Sequence, residues 1–569
     1  MNIKSSLLVF GLVSCVFPSI AQAQSMESST QDEEIVVDFQ DSASETQVRN
    51  VADSLGISLQ ANSTQMVAQD RIYLFRANRA NSETLMQRLR QNSLVQSVGE
   101  NRIMRAYWTP NDPQYADQWG FHRTNAETAW NYTCGRNIRV AVVDTGVACE
   151  NHENFNRLTD LAHTRCVQGW DFVSDDEHAN DDQGHGSHVA GTIAQSTNNA
   201  FGGAGIAHCA TIIPVKVLDR NGSGTTADVV EGIRFAADSG AHVINLSLGG
   251  GGRSKIMEDV IAYARQRGSV VVCAAGNNGR YVESPASEPG AFTVSAIGAG
   301  DQIAPFSSRG PEVDIAAPGV NILQQTICDH GRNRCEEFAS WSGTSMATPH
   351  VAAIAALVMS MGVTNPNAVE SVLRSSAQRP EHGIRDPNLY GAGIVNAASA
   401  VKAVQNRQVF MRGFAMLLVF AAVFKRIKDK SGKLENPLLW ATPAVFAAYG
   451  LFFLPRIIPH TFPAVEYLMR PPGDWTMLAN LTLHKFLPLG SSFLPLGLAS
   501  IFYHNHKLRP IIGGFSIGTA GYLLGTFATN FHTFPLGWFG MLAWTVINVA
   551  IMGILARLTL DSTKNNAQI

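Results

Sequence analysis

Between Ile138 and about Val404, short β-branched runs alternate with helical patterns, and this alternation limits the possible folds more than any other feature of the chain. The runs IRVAVVD, TIIPVKVL, HVINLS, SVVVCAAGN and AFTVSAIG are continuously apolar, so both faces of each strand must be covered. Helical segments lie between them, among them GSHVAGTIAQST and the stretch from Thr226 to Ser239. Strands buried on both sides and separated by helices predict an α/β domain with a doubly wound, mostly parallel sheet. In such folds, active sites form where the carboxyl ends of strands meet the loops.

With 569 residues the chain is too long for one core, and the flanks of this domain differ from it in character. Lys4, the apolar run from Leu7 to Phe17 and Ala21-Gln22-Ala23 predict a cleaved signal peptide over 1–23 and export to an oxidising compartment. Residues 35 to 105 read strand, helix, strand, helix, strand, a small α+β, ferredoxin-like unit. Beyond Gln405, apolar stretches near 408–424, 437–454, 486–503, 511–530 and 535–556 each approach the ~20 residues that span a bilayer. An all-α, multi-span membrane region of about five helices over 406–569 is expected; Arg412 makes the first stretch the weakest span. It explains why only 16% of residues are charged, against roughly 25% in ordinary soluble domains. Lys425, Arg426, Lys428, Lys430 and Lys433, then Lys507 and Arg509, then Arg557 and Lys564 mark the cytoplasmic side, which puts everything before residue 405 outside. A formal net charge of -3 does not suggest a nucleic-acid partner.

Four residues carry chemistry. Asp144 ends a strand in AVVDTG, His185 opens a helix in GHGSHVAGT, Asn277 follows a strand in CAAGN, and Ser345 opens a helix in SGTSMATPHVA. A serine hydroxyl attacks an acyl carbon only if a histidine takes its proton, a carboxylate fixes that histidine's tautomer, and donors meet the oxyanion. The order Asp, His, Ser differs from that of chymotrypsin and of the α/β-hydrolases, and Ala347 breaks the G-x-S-x-G elbow. Only one DTG loop is present, against two in an aspartic protease, and His185 and His188 lack a third metal ligand.

The blocks AVVDTGV, DQGHGSHVAGTIA, INLSLGGG, VVVCAAGNN and SGTSMATPHVAAIAAL, in this order, resemble the subtilase family, and SPASEPGAF resembles its proteinase K branch. The resemblance implies a serine endopeptidase acting on proteins and peptides, with Ser345 as nucleophile, His185 as base, Asp144 as its partner and Asn277 as oxyanion donor. It further implies that substrate is held as an added strand between Gly222-Ser223-Gly224 and Ser247-Leu248-Gly249. Leu248, Ala274 and Gly276 would line the specificity pocket, with Glu283 where that branch usually has an aromatic residue, so that basic side chains would be admitted. Residues 24–106 resemble a linker and inhibitory propeptide, self-cleaved between about Met104 and Pro110 before a catalytic domain over 107–405. A structural calcium ion would use Asp314 and the carbonyls of Pro289 and Ala291, while Asn154 weakens a second site; catalysis itself needs no cofactor.

Seven cysteines remain after signal removal, an odd number. Cys134 and Cys209 precede strands expected to be parallel neighbours; Cys328 with Cys335 and Cys149 with Cys166 would close short loops, leaving Cys273 free. His-Thr-Phe-Pro occurs twice, at His460 to Pro463 and His532 to Pro535, an internal duplication or an interfacial preference. Five spans exceed what an anchor needs, so the competing expectation is a membrane receptor or transporter whose protease serves only its own maturation.

Overall fold

The structure is a computed structural model that describes residues 32–63, 66–101, 109–380, 386–429, 437–451, 468–475, 491–529, 531 and 537–561. The signal peptide, most of the self-cleavage segment and both His-Thr-Phe-Pro segments lie outside these residues. The chain divides into two units, Met1–Tyr107 and Trp108–Ile569.

The first unit runs β1 (Asp32–Phe39), α1 (Glu45–Leu55), β2 (Gln60–Ala61), β3 (Ile72–Asn78), α2 (Arg79–Arg90) and β4 (Val95–Glu100). Its antiparallel sheet has the order β2-β3-β1-β4. Alternate residues of β1 and β3, among them Ile35, Val37, Tyr73 and Phe75, point into one core with Val48 and Val51 of α1 and Met86 and Leu89 of α2. Helix α1 starts at a reciprocal Ser44–Gln47 capping box, which satisfies its first free N–H groups, and stops at left-handed Gly56.

In the second unit a parallel sheet is built from β5 (Arg139–Asp144), β6 (Thr211–Lys216), β7 (Val243–Leu246), β8 (Val270–Ala274), β9 (Phe292–Ile297) and β10 (Val313–Pro318), in the order β10-β9-β8-β7-β5-β6. Two short strands, Arg165–Cys166 and Trp170–Asp171, pair with β6. Helices α3 (His185–Ala194), α4 (Thr226–Asp238), α5 (Lys255–Gln266), α6 (Thr344–Ser360) and α7 (Pro366–Ser376) surround it. The continuous apolar runs have the predicted consequence. Val140 and Val142 of β5 bury on one face with α3 and α6, while Ala141 and Val143 bury on the other with α4 and α5. The sheet order reverses at β5, so its carboxyl end, Asp144, lies at the switch point where a crevice forms.

Disulfides join Cys134 to Cys209, Cys149 to Cys166 and Cys328 to Cys335, and Cys273 is buried and free. All match the pairing expected above.

At residue 405 the character of the sequence changes but the backbone does not. One helix, α8, runs Ala397–Lys428; its first turns (Ala397, Ala400, Val401, Val404) belong to the catalytic core and the rest to an apolar bundle. The bundle continues with α9 (Pro437–Tyr449), α10 (Phe493–Phe502), α11 (Arg509–Thr529) and α12 (Gly537–Leu560). Among the described residues α8, α11 and α12 are long and apolar enough to cross a membrane; α9 and α10 are shorter. Small residues on α11 permit close approach: a Cβ at Gly521 would lie 2.6 Å from Met416 of α8, and one at Gly513 2.5 Å from Leu560 of α12. Arg412 is buried and its charge is met, because Asp474 accepts from it at 3.4 Å while also accepting from the Tyr522 hydroxyl at 2.7 Å.

Candidate active site

Asp144, the last residue of β5, and His185, the first of α3, meet with His185 Nδ1 2.7 Å from Asp144 Oδ1. The contact depends on a carboxylate that sequence reasoning passed over. Asp181 is fully buried and accepts hydrogen bonds from the N–H groups of Gln183, Gly184 and Ser187 and from the Thr145 hydroxyl, all at 2.8 to 3.0 Å. Thr145 Oγ1 in turn accepts from Gly186 N (2.9 Å). The loop after β5 and the first turn of α3 are thereby locked together, with negative charge at a helix N-terminus where the dipole favours it. The approach is so close that a Cβ at Gly186 would lie 2.0 Å from the Gly146 carbonyl.

Burial works to lower the His185 pKa, but the carboxylate of Asp144, and further off Asp181, outweigh it and hold the imidazole above its ordinary value. His188, one turn on, is the opposite case. It is buried, stacked 4.5 Å from the Trp341 ring and bonded to the Ala339 carbonyl, and burial drives its pKa down to about 4. It is a neutral packing residue.

Ser345 is the second residue of α6, so its N–H is one of the unpaired donors of the first helical turn. Pro349 stands four residues later without an N–H, which frees the Ser345 carbonyl; the Ser247 hydroxyl donates to it at 2.8 Å. Ser345 Oγ itself donates to the Ser247 carbonyl (3.0 Å) rather than to His185, so the serine–histidine contact forms only when Oγ leaves that acceptor. Asn277 Oδ1 accepts from both Thr344 N (2.9 Å) and Thr344 Oγ1 (3.0 Å), which fixes the amide plane and leaves its NH₂ free for an oxyanion.

Beside Ser345 opens a pocket of about 260 Å³ lined by Leu248, Gly249, Ala274, Gly276, Asn277, Asn278, Glu283 and Thr344. The four expected pocket residues are therefore together. Gly276 has φ +108°, and a Cβ there would lie 2.6 Å from Glu283 Oε2, so the carboxylate reaches the pocket wall only because this residue is glycine. Of the two expected substrate edges, Leu248 and Gly249 follow β7 with no backbone hydrogen bond among the described residues. Gly222 and Ser223 are exposed but closed in a turn on Asp219, which leaves Gly224 as the open part of that edge.

Of the expected calcium ligands, the Asp314 carboxylate is engaged by protein donors. Asp314 Oδ1 is held by the Arg374 guanidinium at 2.8 and 3.1 Å and Oδ2 by Thr293 N at 2.8 Å. Between Pro289 and Ala291, the Gly290 carbonyl accepts from Arg265 (2.9 Å). Arg374 thus pairs with Asp314 and Arg265 with the neighbouring Gly290 carbonyl, a feature invisible until α5 and α7 are folded onto the sheet. A second group of buried oxygen donors lies elsewhere, its carboxylates likewise engaged by protein donors: Asp112 by Asn198 N (2.7 Å), and Asp160 by Gly203 N (3.0 Å) and the Gln195 amide. Asp112 and Asp160 are buried and bridged by Asn199, whose N–H donates to Asp112 (3.0 Å) and whose amide donates to Asp160 (2.8 Å). Burial, with repulsion from Asp112 as a smaller cause, pushes Asp160 up to about 6, and the neighbouring Gln195 Oε1 is buried without a donor.

A carboxylate-held histidine opening one helix and a serine opening another, with the carboxylate at the carboxyl end of a doubly wound parallel sheet, define a serine hydrolase built for acyl transfer. Residues 135–393 match the model of the Subtilase family. The chain is 43% identical over 288 residues to the thermophilic serine proteinase of Bacillus sp. (strain AK1), covering 50% of this chain and 68% of that protein. It is 41% identical over 298 residues to thermitase of Thermoactinomyces vulgaris, covering 52% of this chain and all of the relative. It is also 37% identical over 411 residues to an extracellular protease of Xanthomonas campestris pv. campestris, covering 63% and 69% of the two chains. This chain belongs to the subtilase family and is a subtilisin-like serine protease.

Proposed function

We propose that this protease is an autoprocessed, membrane-tethered endopeptidase that cleaves proteins outside the cytoplasm, with Ser345 as nucleophile, His185 as base and then acid, Asp144 as its orienting partner and Asn277 as oxyanion donor. The observation that supports the roles is the 2.7 Å Asp144–His185 contact, together with Ser345 and Asn277 lining one pocket. With Nδ1–H donated to Asp144, Nε2 takes the Ser345 proton as Oγ attacks the scissile carbonyl. The tetrahedral oxyanion lies between the Asn277 amide and the Ser345 N–H. His185 then protonates the leaving amine, and water repeats the sequence on the acyl-enzyme. Substrate adds as a strand against Ser247-Leu248-Gly249 and Gly224, and Glu283 favours a basic side chain before the scissile bond.

Residues 24–106 act as the propeptide, supported by their ferredoxin-like sheet and their position before the catalytic domain. Tethering is supported by α8, α11 and α12. Since Gly521 meets Met416 and Gly525 meets Arg412, and Gly513 near the start of α11 meets Leu560 at the end of α12, α11 runs antiparallel to α8 and to α12. Lys425, Arg426, Lys428, Arg509 and Arg557 then share the end of the bundle away from the protease, which favours an extracytoplasmic catalytic domain. A structural calcium ion is assigned to Asp112 and Asp160 rather than to Asp314. To test the reading, full-length chain and its Ser345→Ala variant are compared in membrane fractions for size and for cleavage of an added denatured protein. Loss of both self-processing and added-protein cleavage in the variant supports it. Loss of self-processing alone, with a mature wild type inert toward other proteins, supports the competing receptor or transporter.

A further inference from the structure

Phe531 sits in the connection between α11 and α12, in the apolar third of the chain, yet it is 1% exposed and belongs to the hydrophobic core of the catalytic domain. Its carbonyl accepts from Thr364 N (2.7 Å) and Asn365 N (3.0 Å), the residues that lead into α7, where Asn365 is the N-cap. The Arg407 guanidinium lies 5.1 Å over its ring, and the Gln408 amide of α8 donates to the Met361 carbonyl at 2.9 Å, at the end of α6. The turn after the helix that carries Ser345 is thus gripped from the bundle side by a buried ring, two backbone acceptor contacts and one amide.

We infer that the helical third is a fastened part of the protease and not a leash: Phe531 completes the catalytic core at the C-terminal end of α6, so bundle and protease unfold as one unit. Without the Phe531 ring, the core that also holds fully buried Val363 gains a cavity the size of a phenyl ring, and the segment whose main-chain carbonyl accepts from Thr364 and Asn365 loses its anchor. The first turns of α8 reinforce the fastening, because Ala397, Ala400, Val401 and Val404 are also core residues. A proteolytic cut within 396–410 would therefore strip the enzyme of part of its own interior instead of releasing it intact. This holds whether or not the helices cross a membrane.

The test uses the full chain in detergent, comparing Phe531→Ala with Phe539→Ala, a phenylalanine of α12 that is 80% exposed. Expected are thermal inactivation of the protease faster by about tenfold or more in Phe531→Ala, wild-type behaviour in Phe539→Ala, and slow hydrogen exchange at Thr364 and Asn365 in the wild type. Equal inactivation of Phe531→Ala and wild type, or rapid exchange at those two amides in the wild type, would overturn the inference. If Phe531→Ala does not accumulate, Phe531→Leu and the wild-type exchange decide.

Discussion

Replacing Glu283 by Gln removes one charge from the pocket wall while keeping the side chain's size and its packing against Gly276. Two unit charges 4 Å apart attract by about 4 kcal/mol at an effective dielectric of 20. Glu283 is half-buried and the pocket opens to solvent, so screening and desolvation leave roughly 1.4–2.8 kcal/mol, or about 10- to 100-fold in rate. The assay is kcat/KM for a peptide series differing only in the residue before the scissile bond, with Arg, Lys, Gln, Leu and Phe compared. Glu283→Gln is expected to lower the Arg-to-Leu ratio by that factor while leaving the Leu rate within about threefold, and added salt should shrink the wild-type ratio. An unchanged ratio, or equal losses for Arg and Leu, would refute the charge argument and reduce Glu283 to a structural neighbour of Gly276.

The base must be unprotonated to act, and Asp144 holds His185 above its ordinary value, so the acid limb of kcat/KM is expected at higher pH than the roughly 6.5 of a free histidine. Asp144→Asn should shift that limb to lower pH and reduce kcat by about 10⁴-fold; an unmoved limb would mean another group sets it. In chelator, burial keeps Asp160 near about 6 in the fold against 3.8 unfolded, so its contribution is fully present below about pH 4 and lost as pH rises through about 6, by up to roughly 3 kcal/mol. Calcium should raise Tm at pH 7 and flatten that slope, and Asp160→Asn should abolish both effects while Asp314→Asn does not abolish the calcium response.

Much of the catalytic domain was legible because its physics is local. Unbroken apolar runs such as IRVAVVD can only be strands covered on both faces, and the chemistry sits where those runs end. One cysteine pair, Cys134 with Cys209, followed from which strands lie side by side, and the other two from the short loops they close. What stayed hidden depends on groups far apart in sequence. Arg374 reaches Asp314 across 60 positions and pairs with the carboxylate expected to hold an ion. Asp181 is close to His185, yet nothing in its spelling shows that Thr145, from another loop, shares its carboxylate. The boundary at 405 was read from hydropathy, which changes there, whereas the helix hydrogen-bond ladder is indifferent to side chains and continues to Lys428. Phe531 falls between two apolar stretches, 511–530 and 535–556, and only the packing reveals which core it fills.

The proposed catalysis requires Ser345 to be the reactive serine. The most direct measurement is intact mass and peptide mapping after a serine-directed phosphonylating reagent, on the wild type and on His185→Ala. A single adduct on the peptide containing Ser345, formed in the wild type and nearly absent without His185, is the predicted result; an adduct elsewhere, or one at Ser345 that forms equally fast without His185, would contradict it.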